Sequence, residues 1–181
     1  TPNHVLPSGL FALGLGFRSD SRFIELSDGG HFDNLGVYEL IRRELGLIVI
    51  LDGEADNTTG YAALVSVSQR VAEDFGHTIL ICDTLDRGPD RLVPNQDMPY
   101  PHENKRAKHP WLAAHIKYSS GKFGTIIYIK ATMIAGLSFK VNAYKGKNRD
   151  FPHQSTGDQF FDPEQFEAYR ELGFKALQRV T

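Results

Sequence analysis

An uninterrupted aliphatic run, Leu47-Ile48-Val49-Ile50-Leu51, constrains this chain more than any other feature. A strand without alternation of apolar and polar residues suits a position buried on both faces, as in parallel sheets. Its neighbours fit such a sheet. Upstream, Phe23-Ile24-Glu25-Leu26 reads as a strand, and Val37, Tyr38, Leu40, Ile41 and Leu45 then recur at helical spacing. Glu39 and Arg43 form an i,i+4 pair on the wet side of that helix, and Asp33 or Asn34 can cap it. Downstream, residues 61–75 are predicted helical, with Leu64, Val67 or Ser68, Val71 and Phe75 on one side and Gly76 as the stop. Residues 77–82 are a third strand. The order βαβαβ predicts an α/β fold whose parallel sheet is built of βαβ units with right-handed crossovers.

The rest of the chain adds to this core. Residues 83–110 are polar and punctuated by proline, without a clear period, and read as one long loop. Residues 114–118 and 124–131 read as an added β-hairpin turned around Ser119-Ser120-Gly121-Lys122. Residues 143–158 read as irregular. Asp162-Pro163-Glu164 is a helix start, with an N-cap, a proline at the first helical position and an acid in the first turn. The C-terminal helix then runs toward Val180, with Gly173 as a weak point. Residues 1–20, with Leu10-Phe11-Ala12-Leu13 as a short apolar patch, read as a connector from a preceding region.

The residues placed for chemistry lie between the first strand and the first helix, in Leu26-Ser27-Asp28-Gly29-Gly30-His31-Phe32-Asp33-Asn34-Leu35-Gly36. A strand end holds the Asp28 carboxylate rigidly. Gly29 and Gly30 let the backbone turn and let another segment approach closely. Asn34, at the helix start, can pin the turn. Without that longer context, an Asp-Gly-Gly turn needs no more than a carboxylate bonded to nearby amides.

Residues 26–43 resemble the aspartate motif of bacterial patatin-like phospholipases. Residues 151–173, from Phe151-Pro152-His153-Gln154-Ser155-Thr156-Gly157 through Asp162-Pro163 to Gly173, resemble the C-terminal end of the same group. The resemblance covers most of the chain and is weakest over residues 81–108. It implies that residues 1–181 are the C-terminal part of a patatin-like α/β domain. It also implies lipid acyl ester hydrolysis by a Ser-Asp dyad, with Asp28 as the catalytic aspartate, Gly29, Gly30 and Asn34 supporting the turn, and no cofactor or metal. The chain departs from the family in having no Gly-x-Ser-x-Gly and no glycine cluster for an oxyanion hole. The expected partners are therefore a lipid ester and a missing N-terminal region of the same protein that carries the nucleophile. The chain alone is expected to be inactive. The alternative is a non-catalytic α/β module for binding or structure.

Other motifs carry less. Ile50-Leu51-Asp52-Gly53 resembles the strand-plus-acid start of phosphoryl-transfer enzymes of the haloacid dehalogenase type, but Glu54 stands where a second Asp is needed, so a solvated loop is the simpler reading. Asp52-x-Glu54-x-Asp56 lacks the glycine and distal glutamate of a calcium loop. His102, His109 and His115 lack the partners of a zinc site. His31 invites a Ser-His-Asp triad, but a dyad needs no histidine. Residues 151–156 read as a structural clamp near the last helix. The net charge of -2 predicts no attraction to nucleic acid or anionic lipid. No apolar run reaches membrane-spanning length, so membrane contact is expected only through regions outside this chain. The single cysteine, Cys82, excludes an internal disulfide and fits the cytoplasm or the cytoplasmic face of a membrane.

Overall fold

The computed structural model describes residues 29–82, 88–94, 105–155 and 157–180. The chain divides into two units, residues 1–32 and 33–181. In the first, Gly29–His31 form a 3-10 turn, and the Phe32 amide donates to the Gly29 carbonyl at 2.9 Å. The expected strand at residues 23–26 and the connector at 1–20 lie outside the described residues.

The second unit is α/β. Its strands are β1 (Leu47–Asp52), β2 (Thr78–Ile81), β3 (Trp111–Lys117) and β4 (Phe123–Lys130). Its helices are α1 (Tyr38–Arg42), α2 (Ala62–Phe75), α3 (Phe139–Lys147) and α4 (Pro163–Leu177). The four strands form one sheet in the order β1-β4-β3-β2. β1 is parallel to β4, while β3 pairs antiparallel with both β4 and β2. Consequently β1 and β2 point the same way, as the sequence suggests, but they are not neighbours. The β3–β4 hairpin lies between them, and the sheet is mixed rather than built of parallel units alone. β4 is the reason. Ile126 and Tyr128 bury one of its faces and Ile129 part of the other, so it suits the inner position that the aliphatic run had suggested for β1.

β1 itself is not buried on both faces. Ile48, Ile50 and Asp52 point into the core, whereas Leu47, Val49 and Leu51 are 59%, 50% and 71% exposed. The inner face of the sheet packs on Val37, on Ile41 of α1, and on Leu64, Val67 and Val71 of α2. Gly76 closes α2 in the left-handed conformation, φ 67°, with its amide donating to Ala72. At Gly124 a Cβ would lie 2.7 Å from both the Leu45 carbonyl and the Tyr118 hydroxyl, which are themselves hydrogen-bonded at 2.6 Å. Only glycine fits that close approach of β4 to the chain entering β1.

A second core joins α3 and α4 through Val141, Tyr144, Phe151, Ala168 and Leu172. α3 occupies the start of the stretch expected to be irregular. Ser138 caps it by accepting from the Val141 amide, and Lys145 and Lys147 sit in its last turn, where the helix dipole favours cations. Asp162 caps α4 as expected, accepting from the Gln165 amide at 2.7 Å. The hairpin begins at Trp111, earlier than expected. Within the expected long loop, Arg91, Leu92, Arg106 and Ala107 are buried, while Asp90, Lys105 and Lys108 are exposed.

The two faces of β1 give a direct test. Ile50→Ala should cost about 2–5 kcal/mol, the range for emptying a packed aliphatic site. Val49→Thr, on the open face, should stay within about 0.5 kcal/mol. Urea denaturation of the two variants measures both, and equal losses would mean that the outer face is covered.

Candidate active site

The inner-face rows of β1 and β4 end in polar residues. Register pairs Ile50 with Tyr128 and Asp52 with Lys130, so the apolar rows Ile48-Ile50 and Ile126-Tyr128 run into a carboxylate and an ammonium at the carboxyl ends of two parallel strands. The Lys130 ammonium lies 2.9 Å from Asp52 Oδ2 and 3.4 Å from Asp56 Oδ2. The Tyr128 hydroxyl donates a short hydrogen bond to the same Asp52 oxygen, and the Glu54 amide donates to Asp52 Oδ1 at 2.7 Å. Asp52 and Lys130 are almost fully buried. Burying two such charges is costly unless their remaining hydrogen bonds are satisfied, and here the two oxygens of Asp52 accept three.

Asp56 extends the cluster into the loop before α2. It accepts from the Gly60 amide at 2.8 Å and the Tyr61 amide at 3.0 Å. Burial pushes its carboxyl pKa up, but those amides and the Lys130 charge outweigh burial and hold it below the usual carboxylate value. Tyr61, with its hydroxyl donating to the Pro89 carbonyl at 3.0 Å, is pushed up to about 12 by burial and then by Asp56 and Asp90. Tyr128 is raised as well, by burial first and then by its bond to Asp52. Both phenols are neutral donors at physiological pH. From the far end of the chain, His153 Nδ1 accepts from the Asp56 amide at 3.3 Å. Burial, then the Lys130 charge, lowers its pKa.

Beside this cluster opens a cleft of about 450 Å³, lined by Asn34, Leu35 and residues 51–55. A cleft at the carboxyl ends of parallel strands is where α/β sheets gather ligands. Asn34 is here, donating to Glu54 Oε1 at 3.0 Å across the cleft wall. It does not cap α1. Nor is Asp33 the N-cap, which is Val37 and makes no side-chain cap bond, although the Asp33 carboxylate accepts from the Leu35 amide at 3.1 Å and the Tyr38 amide at 2.7 Å. The left-handed backbone of this motif is at Gly36, φ 63°. Gly29 and Gly30 lie in the 3-10 turn of the first unit with His31 at its end. Asp28 lies outside the described residues, as does His102.

Reading the sequence undervalued four residues. From the sequence Asp52 and Asp56 read as solvated loop acids and His153 as part of a structural clamp, and Lys130 receives no role. The available signal was positional: Asp52 and Lys130 each close an apolar strand. Among the described residues no group of His, Cys, Asp and Glu is arranged to hold a metal ion, and no helix is long and apolar enough to cross a membrane. Comparison with protein-family models, with curated proteins and with solved structures finds no match.

Lys130→Met leaves two carboxylates without their cation. It should cost about 3–5 kcal/mol, as breaking one partner of a buried pair does. Asp52→Asn combined with Lys130→Met should recover part of that loss, and a double-mutant cycle measures the coupling. A cycle with no coupling energy would show that the pair is not a unit.

His153 gives a pH test. Its folded-state pKa lies below the unfolded value of 6.5, so below about that pH the unfolded chain takes up the proton more readily. The stability from the neutral imidazole is therefore complete above pH ~6.5 and is lost as the pH falls toward the folded-state pKa. Gln keeps an acceptor for the Asp56 amide but does not titrate. His153→Gln should flatten the fall in stability between about pH 7 and pH 5, measured by urea denaturation across that range.

Proposed function

We propose that this chain is the aspartate-bearing part of a patatin-like serine lipid acyl hydrolase. In this reading the nucleophilic serine and the oxyanion donors lie in a region of the protein outside these residues. The observation that carries the proposal is the motif at residues 26–43, in which Asp28 and the glycines stand where the family has its catalytic aspartate and turn. What supports it in three dimensions is the location of Asn34, a member of the same motif, on a cleft at the carboxyl ends of parallel β1 and β4.

In a Ser-Asp dyad the carboxylate takes the serine hydroxyl proton as the oxygen attacks the ester carbonyl. It returns the proton to the leaving alcohol and then activates water against the acyl-enzyme. An aspartate near its ordinary pKa is a weak base at neutral pH, so turnover depends on geometry, a dry pocket and preorganised donors for the oxyanion. In this scheme Asp28 is the base, Gly29 and Gly30 give the serine-bearing loop room, and Asn34 ties the segment after the turn to Glu54. The substrate is a lipid ester, no cofactor is required, and the partner is the region of the same protein that supplies the serine. A cytoplasmic site of action goes with this reading. The alternative, a non-catalytic module, is favoured by the lack of Gly-x-Ser-x-Gly in the chain.

Hydrolysis of p-nitrophenyl esters by three samples decides between them. The 181-residue chain should be inactive and the parent protein active. Asp28→Asn in the parent should lose about 10²–10⁴-fold in turnover, the contribution of a general base, with the fold intact by circular dichroism. A parent enzyme indifferent to Asp28→Asn would end the dyad reading. A parent inactive on several lipid esters would favour the non-catalytic module.

A further inference from the structure

A second cavity adjoins the polar cleft. It is a groove of about 280 Å³ between α4 and the carboxyl ends of β1 and β4. Tyr169, Leu172, Gly173, Ala176 and Leu177 of α4 form one wall, at the spacing of a single helical face. Leu51 and Ile129 contribute to the sheet side. Among the described residues, the charged side chains lining it are Asp52 and Lys130, which are paired with each other and buried. The volume falls just below the roughly 300–1,000 Å³ typical of small-ligand sites, room for a single alkyl chain.

Continuity identifies the occupant. The groove and the polar cleft share Leu51, Asp52 and Gly53 as lining, so they adjoin at the end of β1. One compartment offers an amide and a carboxylate, Asn34 and Glu54, and the other offers hydrocarbon. That is the shape of an amphiphile. A carboxylate-walled cleft disfavours an anionic head, whereas hydroxyl and ester groups can hydrogen-bond to Asn34 and Glu54. Gly173 keeps the groove open. A Cβ built there would meet nothing within 4 Å, and glycine inside a helix otherwise weakens it.

We propose that this groove binds the alkyl chain of a single-chain lipid whose uncharged, oxygen-bearing head occupies the cleft. The proposal rests on the hydrolase reading for its biological meaning, because it assigns the acyl-chain subsite of that same site.

The test is calorimetric titration of the 181-residue chain with 1-O-hexylglycerol and 1-O-decylglycerol below their micelle concentrations. Each buried methylene tightens binding about threefold to fourfold, so the decyl ether should bind on the order of 100-fold more tightly than the hexyl ether. Gly173→Leu places a side chain in the groove and should weaken decyl ether binding at least about tenfold. The same substitution improves helix propensity, so its melting temperature should not fall. Leu177→Glu, which adds a charge to the half-exposed wall, should also weaken binding and serves if Gly173→Leu misfolds.

No binding, no chain-length dependence, or binding indifferent to both substitutions would overturn the proposal. So would a change of molecular mass by light scattering in Gly173→Leu, which would make the groove a contact between copies. The ethers contain no ester bond, so the titration does not depend on Asp28 being a catalytic base. A failed groove and a failed dyad are therefore separate results.

Discussion

The Lys130 ammonium, held between Asp52 and Asp56, is the interaction on which the carboxyl end of the sheet depends. It ties together three pieces that are distant in sequence: the end of β1, the end of β4 and the loop entering α2. Through the Asp56 amide it also reaches His153. Such a pair adds little net stability once its desolvation is counted. Its larger effect is on register. Sliding β1 by one residue against β4 would turn Asp52 to the outer face and set Leu51 in its place beside Lys130. The aliphatic residues of β1 would tolerate that slip, since Leu47, Val49 and Leu51 are as apolar as Ile48 and Ile50. The buried charges would not. In a strand that is apolar at five consecutive positions, the polar residue at its end specifies which face is inside.

This division of labour explains the two faces of the sheet. The inner face carries the core against α1 and α2. The outer face stays apolar but open along β1, and among the described residues α4 approaches it at the carboxyl end. There the Trp111 indole donates to the Arg179 carbonyl at 2.8 Å, and the Arg179 guanidinium donates to the Ala135 carbonyl at 2.5 Å. These bonds secure the residues just beyond α4 to the start of β3 and to the segment after β4. The helix thus overhangs the strand ends without sealing them, which leaves the groove beside the cleft.

The local elements were legible in the sequence because their signals are local. The apolar spacing of Leu64, Val67 and Val71 announced α2, Gly76 its end, and Asp162-Pro163 the start of α4. Strand order was not legible, because no periodicity records that the β3–β4 hairpin separates β1 from β2. α3 was missed because Gly146 argues against a helix by propensity, while its stability comes from packing Val141 and Tyr144 on α4. The polar cluster was missed for a related reason. Asp52 is separated from Lys130 by 78 positions, and an acid after an aliphatic run looks solvated until its partner is seen. Of the motif residues, Asn34 stands on the cleft, but its bond to Glu54 was not foreseeable from a helix-start position.

The cluster also bears on which carboxylate could act as a base. A general base needs an oxygen free to meet the proton it removes. Asp52 has the right place, at the carboxyl end of a parallel strand, but its Oδ2 already accepts from Lys130 and Tyr128 and its Oδ1 from the Glu54 amide. Asp56 is similarly engaged by Gly60, Tyr61 and Lys130. Drawing a proton onto either would weaken its bonds to the ammonium and expose a buried cation. These two carboxylates are built to stay bound in this network, which is a scaffold's role. The acid that the proposed chemistry requires must then be one that the scaffold does not consume. Asp33, beside Asn34 in the chain, is likewise committed, to the amides of Leu35 and Tyr38.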